Sequence, residues 1–522
     1  MIACWWRNRL LLVSACAPVV LGIAGCAKVD SKPRFVEAAR LAGHQTGAPV
    51  DWTAPWDASL PAWDSSTVLG LDDAVELALR NNRELRADVE MIGVAHAELV
   101  QAGLMKNPVL NFMAMFPEGG GRSMLRSSGF PMQELQDLWL IPPRKEAAAA
   151  KLQETVLRVA DRAVETAAEV KRSYARIQFA QRAIELIRAN MAVVEQSRRL
   201  IQSQQAAGKA TLVEVNVAQI RLLRLRSELM TMQADDDGGK RELLMLIGAA
   251  AATADWTVSP VDELHDDLAV PPSEEALLTR AREERLDLRA AEWSVAGAEH
   301  DLERMRREAW PDLALGLTFE RAPMPRSQNQ QLAGSVGNAA AQGLLQQTPP
   351  MQSAMPFSPK PREMDWTVGP MLEIELPIFD QNQAQIAMAV HEHRRRSAAY
   401  EAQRERVVSK VRENLVMHGQ AVEQARFFRE AIIPEVERSF QIVLESYRAG
   451  REDVTVLLQI QEDLIMTRLS ALGFVRDASV TRADLERQVG GRLGSLEDAT
   501  TPSTQKDTDL PAHSSGSHTE EK

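Results

Sequence analysis

Apolar residues recur at alternating spacings of three and four through Ile177, Ala180, Ile184, Ile187, Met191, Val194 and Ile201, with Arg198 as a polar interruption. This is the seam of a supercoiled helix. No Gly or Pro interrupts Arg144 to Ala207, so the run predicts one helix far longer than the usual span of roughly 8 to 20 residues. After Ala207-Gly208-Lys209 the spacing resumes through Val215, Ala218, Leu222, Leu225, Leu229 and Met232. A similar stripe runs through Leu457, Ile460, Leu464, Thr467, Ala471 and Phe474. Each half predicts an antiparallel helical hairpin, with tips at Ala207-Gly208-Lys209 and Ala449-Gly450-Arg451.

Between the helices the period switches to two. Leu313, Leu315, Leu317 and Phe319 alternate with Asp312, Ala314, Gly316, Thr318 and Glu320. Trp366, Val368, Leu372, Ile374 and Leu376 alternate with Thr367, Gly369, Met371, Glu373 and Glu375. One face is apolar and the other small or acidic, which suits a strand between lipid and a watery lumen or a soluble sheet buried on one side. Strands are expected at about 109–116, 132–140, 312–320 and 365–376, the second being irregular. Four strands cannot close, and hydrocarbon does not tolerate an open edge, so a spanning sheet must be shared among several chains.

The chain is a duplication. LDDAVELALRNNRELRA aligns with SEEALLTRAREERLDLRA at an offset of 202, pairing Ala74, Arg80 and Asn82 with Ala276, Arg282 and Glu284. One inserted residue then makes the offset 203, pairing Leu85, Pro108 and Leu110 with Leu288, Pro311 and Leu313. Beyond that, an offset of 242 pairs Gly208 with Gly450, Gln219 with Gln461, Leu222 with Leu464 and Gly248 with Gly490. The expected repeats are 67–250 and 273–490, joined by a linker at 251–272. Most of the extra length of the second falls in a Pro-, Gln- and Gly-rich loop at 321–364. A segment at 26–66 carries Trp52, Trp56 and Trp63 as aromatic anchors, and a polar tail, expected to be disordered, closes the chain at 491–522.

Arg7 and Arg9 precede an uncharged run from Leu10 to Gly25, which reads as a secretory signal over residues 1–25. Ile23-Ala24-Gly25-Cys26 looks like a lipoprotein cleavage box that leaves Cys26 as a lipidated N-terminus. Cys4 and Cys16 lie inside the removed segment, so the mature chain has no partner for a disulfide. Past the signal no run of about 18 apolar residues offers a transmembrane helix. With 60 basic and 72 acidic side chains in 522 residues, the net charge of -12 argues against nucleic acid as a partner.

The ordered set of LDDAVELALRNN, Pro108 and Pro311, LPIFDQNQAQIA at 376–387, and the paired AGK and AGR tips resembles the TolC family of outer-membrane efflux factors, particularly its lipidated heavy-metal and drug members. The resemblance implies a mainly α fold with a small β part. Three chains would form a long α-helical hairpin barrel continuing into a twelve-stranded transmembrane β-barrel, four strands per chain. It implies a homotrimer in the bacterial outer membrane, held also by its lipid, whose tunnel projects into the periplasm. The tips would dock a periplasmic adaptor and, through it, an inner-membrane RND-type pump. The channel would be a passive conduit with no cofactor and no enzymatic step, for metal cations or drugs. A type I protein-secretion conduit, or a lipid-anchored scaffold without a pore, are the alternatives.

No nucleophile elbow, phosphate loop or zinc-protease motif is present. Asp312, Glu320, Glu373 and Glu375 are candidate lumen acids, which would recur around a shared pore and favour cations. The family's aperture latch falls on Glu214 and Tyr447. Its basic partner aligns with Glu452, beside Arg451, and Val456 and Gln459 stand where lumen aspartates are found, so Glu452 or Asp453 are candidate substitutes. His391 and His393 point to different sides of a helix, and His513 and His518 lie in the tail. Ten of the twenty methionines cluster in the strand regions, where thioethers suit Cu(I) but also plain packing.

Overall fold

The computed structural model describes residues 29–54, 68–115, 126–208, 210–252, 255–260, 272–324 and 363–493. In chain order the elements are α1 (Lys32–Thr46), α2 (Leu71–Asn81), α3 (Arg83–Ala102), β1 (Val109–Met115), β2 (Arg126–Glu134), α4 (Asp137–Ala206), α5 (Leu212–Leu246), α6 (Glu274–Glu284) and α7 (Leu286–Glu308). Then come β3 (Asp312–Met324), β4 (Glu363–Glu375), α8 (Gln383–Phe427), a π turn at Phe428–Ile432, α9 (Ile433–Arg448) and α10 (Val454–Val489). Cys26, Trp56, Trp63, Lys209, His513 and His518 lie outside the described residues.

The duplication is visible in the element bounds. α2 and α6 superpose in sequence at an offset of 203, both 11 residues long, as do the starts of α3 and α7 and of β1 and β3. The expected offset of 202 with one inserted residue is therefore corrected. Burial shows why: Ala74, Val75 and Ala78 take the same core positions as Leu277, Leu278 and Ala281. Identical letters had pulled the alignment one residue away from the buried stripe. α5 and α10 start 242 apart. Each hairpin ends at a left-handed glycine, Gly248 at φ +72° and Gly490 at φ +78°. At both ends a corner side chain clasps the helix: Asn82 Nδ2 donates to Leu246 O at 3.0 Å, and Arg285 Nη1 to Gln488 O at 2.9 Å.

Contacts divide the chain into two units. Of the described chain, the first comprises residues 95–115, 126–152, 293–324 and 363–398, with Val29, and holds one antiparallel sheet in the order β1-β2-β3-β4. The second strand occupies Arg126–Glu134, so the expectation of a strand over 132–140 is corrected. That strand shows no apolar alternation because Gly129 and Pro131 sit opposite Phe112 and Leu110, whose bulk serves the same face. From Asp137 the chain is helical despite Pro142 and Pro143. A proline at 143 removes the donor for Trp139 O, and Arg307 Nη1 takes that place at 3.3 Å. β3 and β4 also run into the expected loop at 321–364, to Met324 and from Glu363.

The LPIFDQNQ segment turns β4 into α8. Asn382 adopts φ +60°, which Asn tolerates better than most side chains, and its Nδ2 donates to Met305 O at 2.7 Å. Asp380 Oδ1 accepts from Asn382 N at 2.9 Å.

The second unit holds residues 30–94, 153–292 and 399–493 of the described chain. Ile177, Ala180, Ile184, Ile187, Val194 and Ile201 of α4 are buried, as are Leu457, Leu464 and Ala471 of α10, where the spacing places the seam. α5 is buried less continuously, at Ala218 and Leu222, with Leu225 and Leu229 half-covered, and again towards its end at Asp236, Lys240, Leu243, Leu244 and Leu246. Trp52 is buried and its Nε1 donates to Leu79 O at 3.0 Å, pinning the N-terminal segment. The π turn precedes Pro434, which has no N–H and crowds the carbonyl four residues back, so the helix widens there.

Candidate functional site

The two hairpin tips share one apolar cluster. Ile201 and Ala218 from the first hairpin and Val454 and Leu458 from the second are buried together, with Val215 and Tyr447 packed against them. Gly208 and Gly450 reverse the chain at φ +71° and +69°, between Ala207 and the start of α5 and between Ala449 and Arg451. A Cβ at either glycine would meet nothing within 4 Å, so both tips are sterically open. At the second, Gly450 N donates to Tyr447 O at 2.9 Å and Arg451 N to Ser446 O at 2.9 Å, closing the last turn of α9.

The candidate latch residues divide their roles. Thr211 caps α5: its Oγ1 accepts from Glu214 N at 3.3 Å and donates to Glu214 Oε1 at 3.0 Å, which holds the carboxylate at the helix N-terminus. Asp453 caps α10, its Oδ1 accepting from Thr455 N at 3.0 Å. Tyr447 keeps its hydroxyl buried, without a hydrogen-bond partner among the described residues. Arg451 and Glu452 are exposed, and among the described residues no ion pair joins Glu214 to Arg451.

Sequence reasoning missed the polar links above the tips. Gln461 Nε2 donates to Asn190 Oδ1 at 3.3 Å in a buried bond between the hairpins, and Arg221 meets Glu462 at 3.4 Å. These side chains line a groove with Arg224 and Glu228. Burial pushes the Glu228 carboxyl up, and the Glu462 charge adds to it. The signal was present in the sequence, since Asn190 and Gln461 are polar residues set beside apolar seams.

Deeper in the same unit, charged groups tie the halves of the duplication. Arg487 of α10 meets Asp161 at 2.8 Å and Glu165 at 2.7 Å on α4. Arg172 bridges Glu165 at 2.9 Å and Asp484 at 2.6 Å. Asp287 pairs with Arg285 at 2.7 Å and accepts from Gln403 at 2.6 Å. Burial raises the Asp161 carboxyl, with the Arg487 charge opposing and the Asp287 charge adding. Burial also pushes Glu165 and Asp287 up, but their arginine hydrogen bonds more than reverse it and hold both below the usual range.

In the sheet, strand pairing puts all four candidate lumen acids on one face. Asp312 and Glu375 are direct partners, Glu373 partners Ala314 and Glu320 partners Thr367. Glu320 is also bridged by Arg126 at 2.9 Å. The opposite face carries Leu110, Phe112, Leu315, Leu317, Trp366, Val368, Leu372 and Ile374, all exposed, with Phe112 at 74% and Leu110 at 73%. Such an apolar surface is not left in water by a monomer of ordinary stability. His391 and His393 flank Glu392, which is engaged instead by Arg395 and Arg396, both at 2.7 Å, and whose carboxyl those hydrogen bonds lower to about 2. Among the described residues no group of three His, Cys, Asp or Glu is placed to hold a metal ion, and no helix is long and apolar enough to cross a membrane.

The sequence matches the model of the family described as "Outer membrane efflux protein" over residues 142–249 and 277–491. It is 21% identical over 435 residues to the cobalt-zinc-cadmium resistance protein CzcC of Cupriavidus metallidurans, covering 81% of this chain and 90% of that protein. Over 282 residues it is 26% identical to the pyoverdine export outer membrane protein OpmQ of Pseudomonas aeruginosa, covering 49% of this chain and 57% of OpmQ. The fold is similar to the crystal structure of CusC, with a TM-score of 0.63 at 17% identity, covering 85% of this chain and 97% of that one. With the family match extending over both repeats, the chain belongs to the outer membrane efflux protein family, the TolC-type channels that its sequence resembles.

Proposed function

We propose that three copies of the chain close their sheets into a twelve-stranded barrel in the outer membrane, and that their helices continue it as a periplasmic conduit. One observation carries this reading: a four-stranded sheet open at β1 and β4, with an exposed apolar face on one side and an acidic face on the other. In hydrocarbon every backbone donor and acceptor needs a partner, and an open sheet finds one by joining β1 of one copy to β4 of the next. The apolar face then meets lipid and the acids line the lumen. Cys26 would carry the acyl chain that adds a second hold on the membrane.

The conduit belongs to a tripartite system in which a periplasmic adaptor docks on the tips and an RND-type inner-membrane pump supplies the energy. The acids favour cationic cargo, in keeping with the name of CzcC. Drug export uses the same conduit, as does protein secretion. Purified from membranes in mild detergent, the protein is expected to run as a trimer and to give discrete conductance steps in planar bilayers. A monomer, or a trimer without conductance, would support the scaffold alternative and overturn the channel.

The links between hairpins set the resting aperture. The partly exposed Arg221–Glu462 pair and the buried Gln461–Asn190 hydrogen bond contribute about 1 kcal/mol each, enough in three copies to bias a two-state opening without locking it. Arg221→Gln combined with Gln461→Leu is therefore expected to raise single-channel conductance with the trimer intact. If only Glu214→Gln with Arg451→Ser does so, the tips themselves carry the latch, through Glu214 and Arg451 beside Tyr447; if neither variant does, it lies with Glu452 or Asp453.

A further inference from the structure

Apart from Val109 and Phe130, the large apolar strand residues other than methionine stand on the exposed apolar face. The four strand methionines whose side chains are described do the reverse. By strand pairing Met113, Met115, Met132 and Met371 all stand on the acidic face, with Glu134, Asp312, Glu320, Glu373 and Glu375. Methionine is as apolar as the residues on the other side, so sorting by polarity does not put it there.

Two of the four are brought together. Met132 and Met371 are the partners of Gly316 on its two sides. Neighbouring strands lie about 4.8 Å apart, which sets the two Cα atoms roughly 10 Å from each other across a residue without a side chain. A Cβ at Gly316 would stand 3.5 Å from Met132 Cγ, so the Met132 chain leans over the space that glycine leaves. The same Cβ would stand 2.7 Å from Pro131 O, so the backbone itself demands glycine at this crossing. Both methionines are half-buried.

Next along the strands, Glu134, Ala314 and Glu373 form the adjoining row on the same face. The Glu373 carboxylate draws cations, while that of Glu134 is engaged by Lys106 Nζ at 2.6 Å; carboxylates are hard oxygen donors, whereas thioether sulfur is a soft, uncharged donor that selects soft monovalent ions. The methionine chain is flexible enough for two sulfurs to converge from neighbouring positions.

We propose that Met132 and Met371 form a two-sulfur site for a soft monovalent cation, Cu(I) or Ag(I), on the acidic face of the sheet. The hydrated ion exchanges water for sulfur, with no change of oxidation state. The site's place on the wall of a conduit rests on the barrel reading above; the pair itself lies within one chain.

The test is calorimetric titration of silver nitrate, in chloride-free buffer, into the mature lipidated protein purified from membranes, in which the reading above leaves no free thiol to compete for silver. One tight event per chain is expected, weakened at least about tenfold in the Met132→Leu, Met371→Leu double variant. Met113→Leu with Met115→Leu, on the same face but off the Gly316 row, should retain it. Unchanged binding in the first variant, or no tight event in the unaltered chain, would overturn the site. Conductance measured separately in potassium nitrate decides the channel reading: its absence would remove the conduit and leave the titration to decide the sulfur pair.

Discussion

Arg487→Leu is expected to lower the stability of the helical unit by about 3–5 kcal/mol at neutral pH, the usual consequence of removing one partner from a largely buried ion pair. The Arg487 side chain is 11% exposed and that of Asp161 18%, so solvent does little to replace the lost contact. Arg487 spans Asp161 and Glu165, and its charge also acts on Asp287. Without it Glu165 keeps Arg172 and Asp287 keeps Arg285, but Asp161 has no remaining hydrogen-bonded cation. Its Oδ1 is already buried without a partner among the described residues.

The sign with pH follows from the same groups. In the unaltered chain Glu165 and Asp287 are held low, so their contribution is present above the ordinary carboxylate range and fades as pH falls through their folded values. Asp161 is already raised, so its ionised form costs stability above its unfolded value. Removing the arginine raises all three folded values. The deficit of the variant should therefore be largest near pH 7.5 and shrink towards pH 4.5, where the carboxyls take up protons. Thermal unfolding followed by the helical circular dichroism signal checks both parts, and a deficit independent of pH would show that lost packing, not charge, is the cause.

The elements that could be read from the sequence are those that repeat a simple period. The α4 seam from Ile177 to Ile201 and the alternation in β3 and β4 each bury or expose one stripe, and periodicity reports that directly. β2 escaped because Gly129 and Pro131 carry no apolar signal of their own; neighbouring strands supply the bulk of that face. The duplication was visible, but its first offset was displaced by chance identities that the buried positions do not share. Among site residues, the tips followed from glycine and the acidic face from alternation. The charge network did not, since Asp161, Asp287 and Arg487 are far apart in sequence and only folding brings them together. Glu214 is a latch candidate by alignment and Asp453 a candidate substitute for missing lumen acids; within the chain both serve helix N-termini.

Gly208→Phe or Gly450→Phe is expected to abolish export in cells while leaving trimers in the outer membrane. Both glycines have positive φ, which costs an L residue about 1–2 kcal/mol, a modest sum beside the burial that the hairpins retain. Around each, a Cβ would meet nothing within 4 Å, so the chain itself has room for the new ring. The lost space is outside it, on the surface where the adaptor is proposed to pack against the tips. Strain and obstruction are separable. Gly450→Asn keeps a residue that tolerates the left-handed region and adds little bulk, so it should retain most export. If Asn is as damaging as Phe, the bulk of the ring is not the cause, and the tip requires glycine itself. If Phe at both tips leaves resistance to the exported toxicant and cross-linking to the adaptor at the unaltered level, docking does not occur at Gly208 and Gly450.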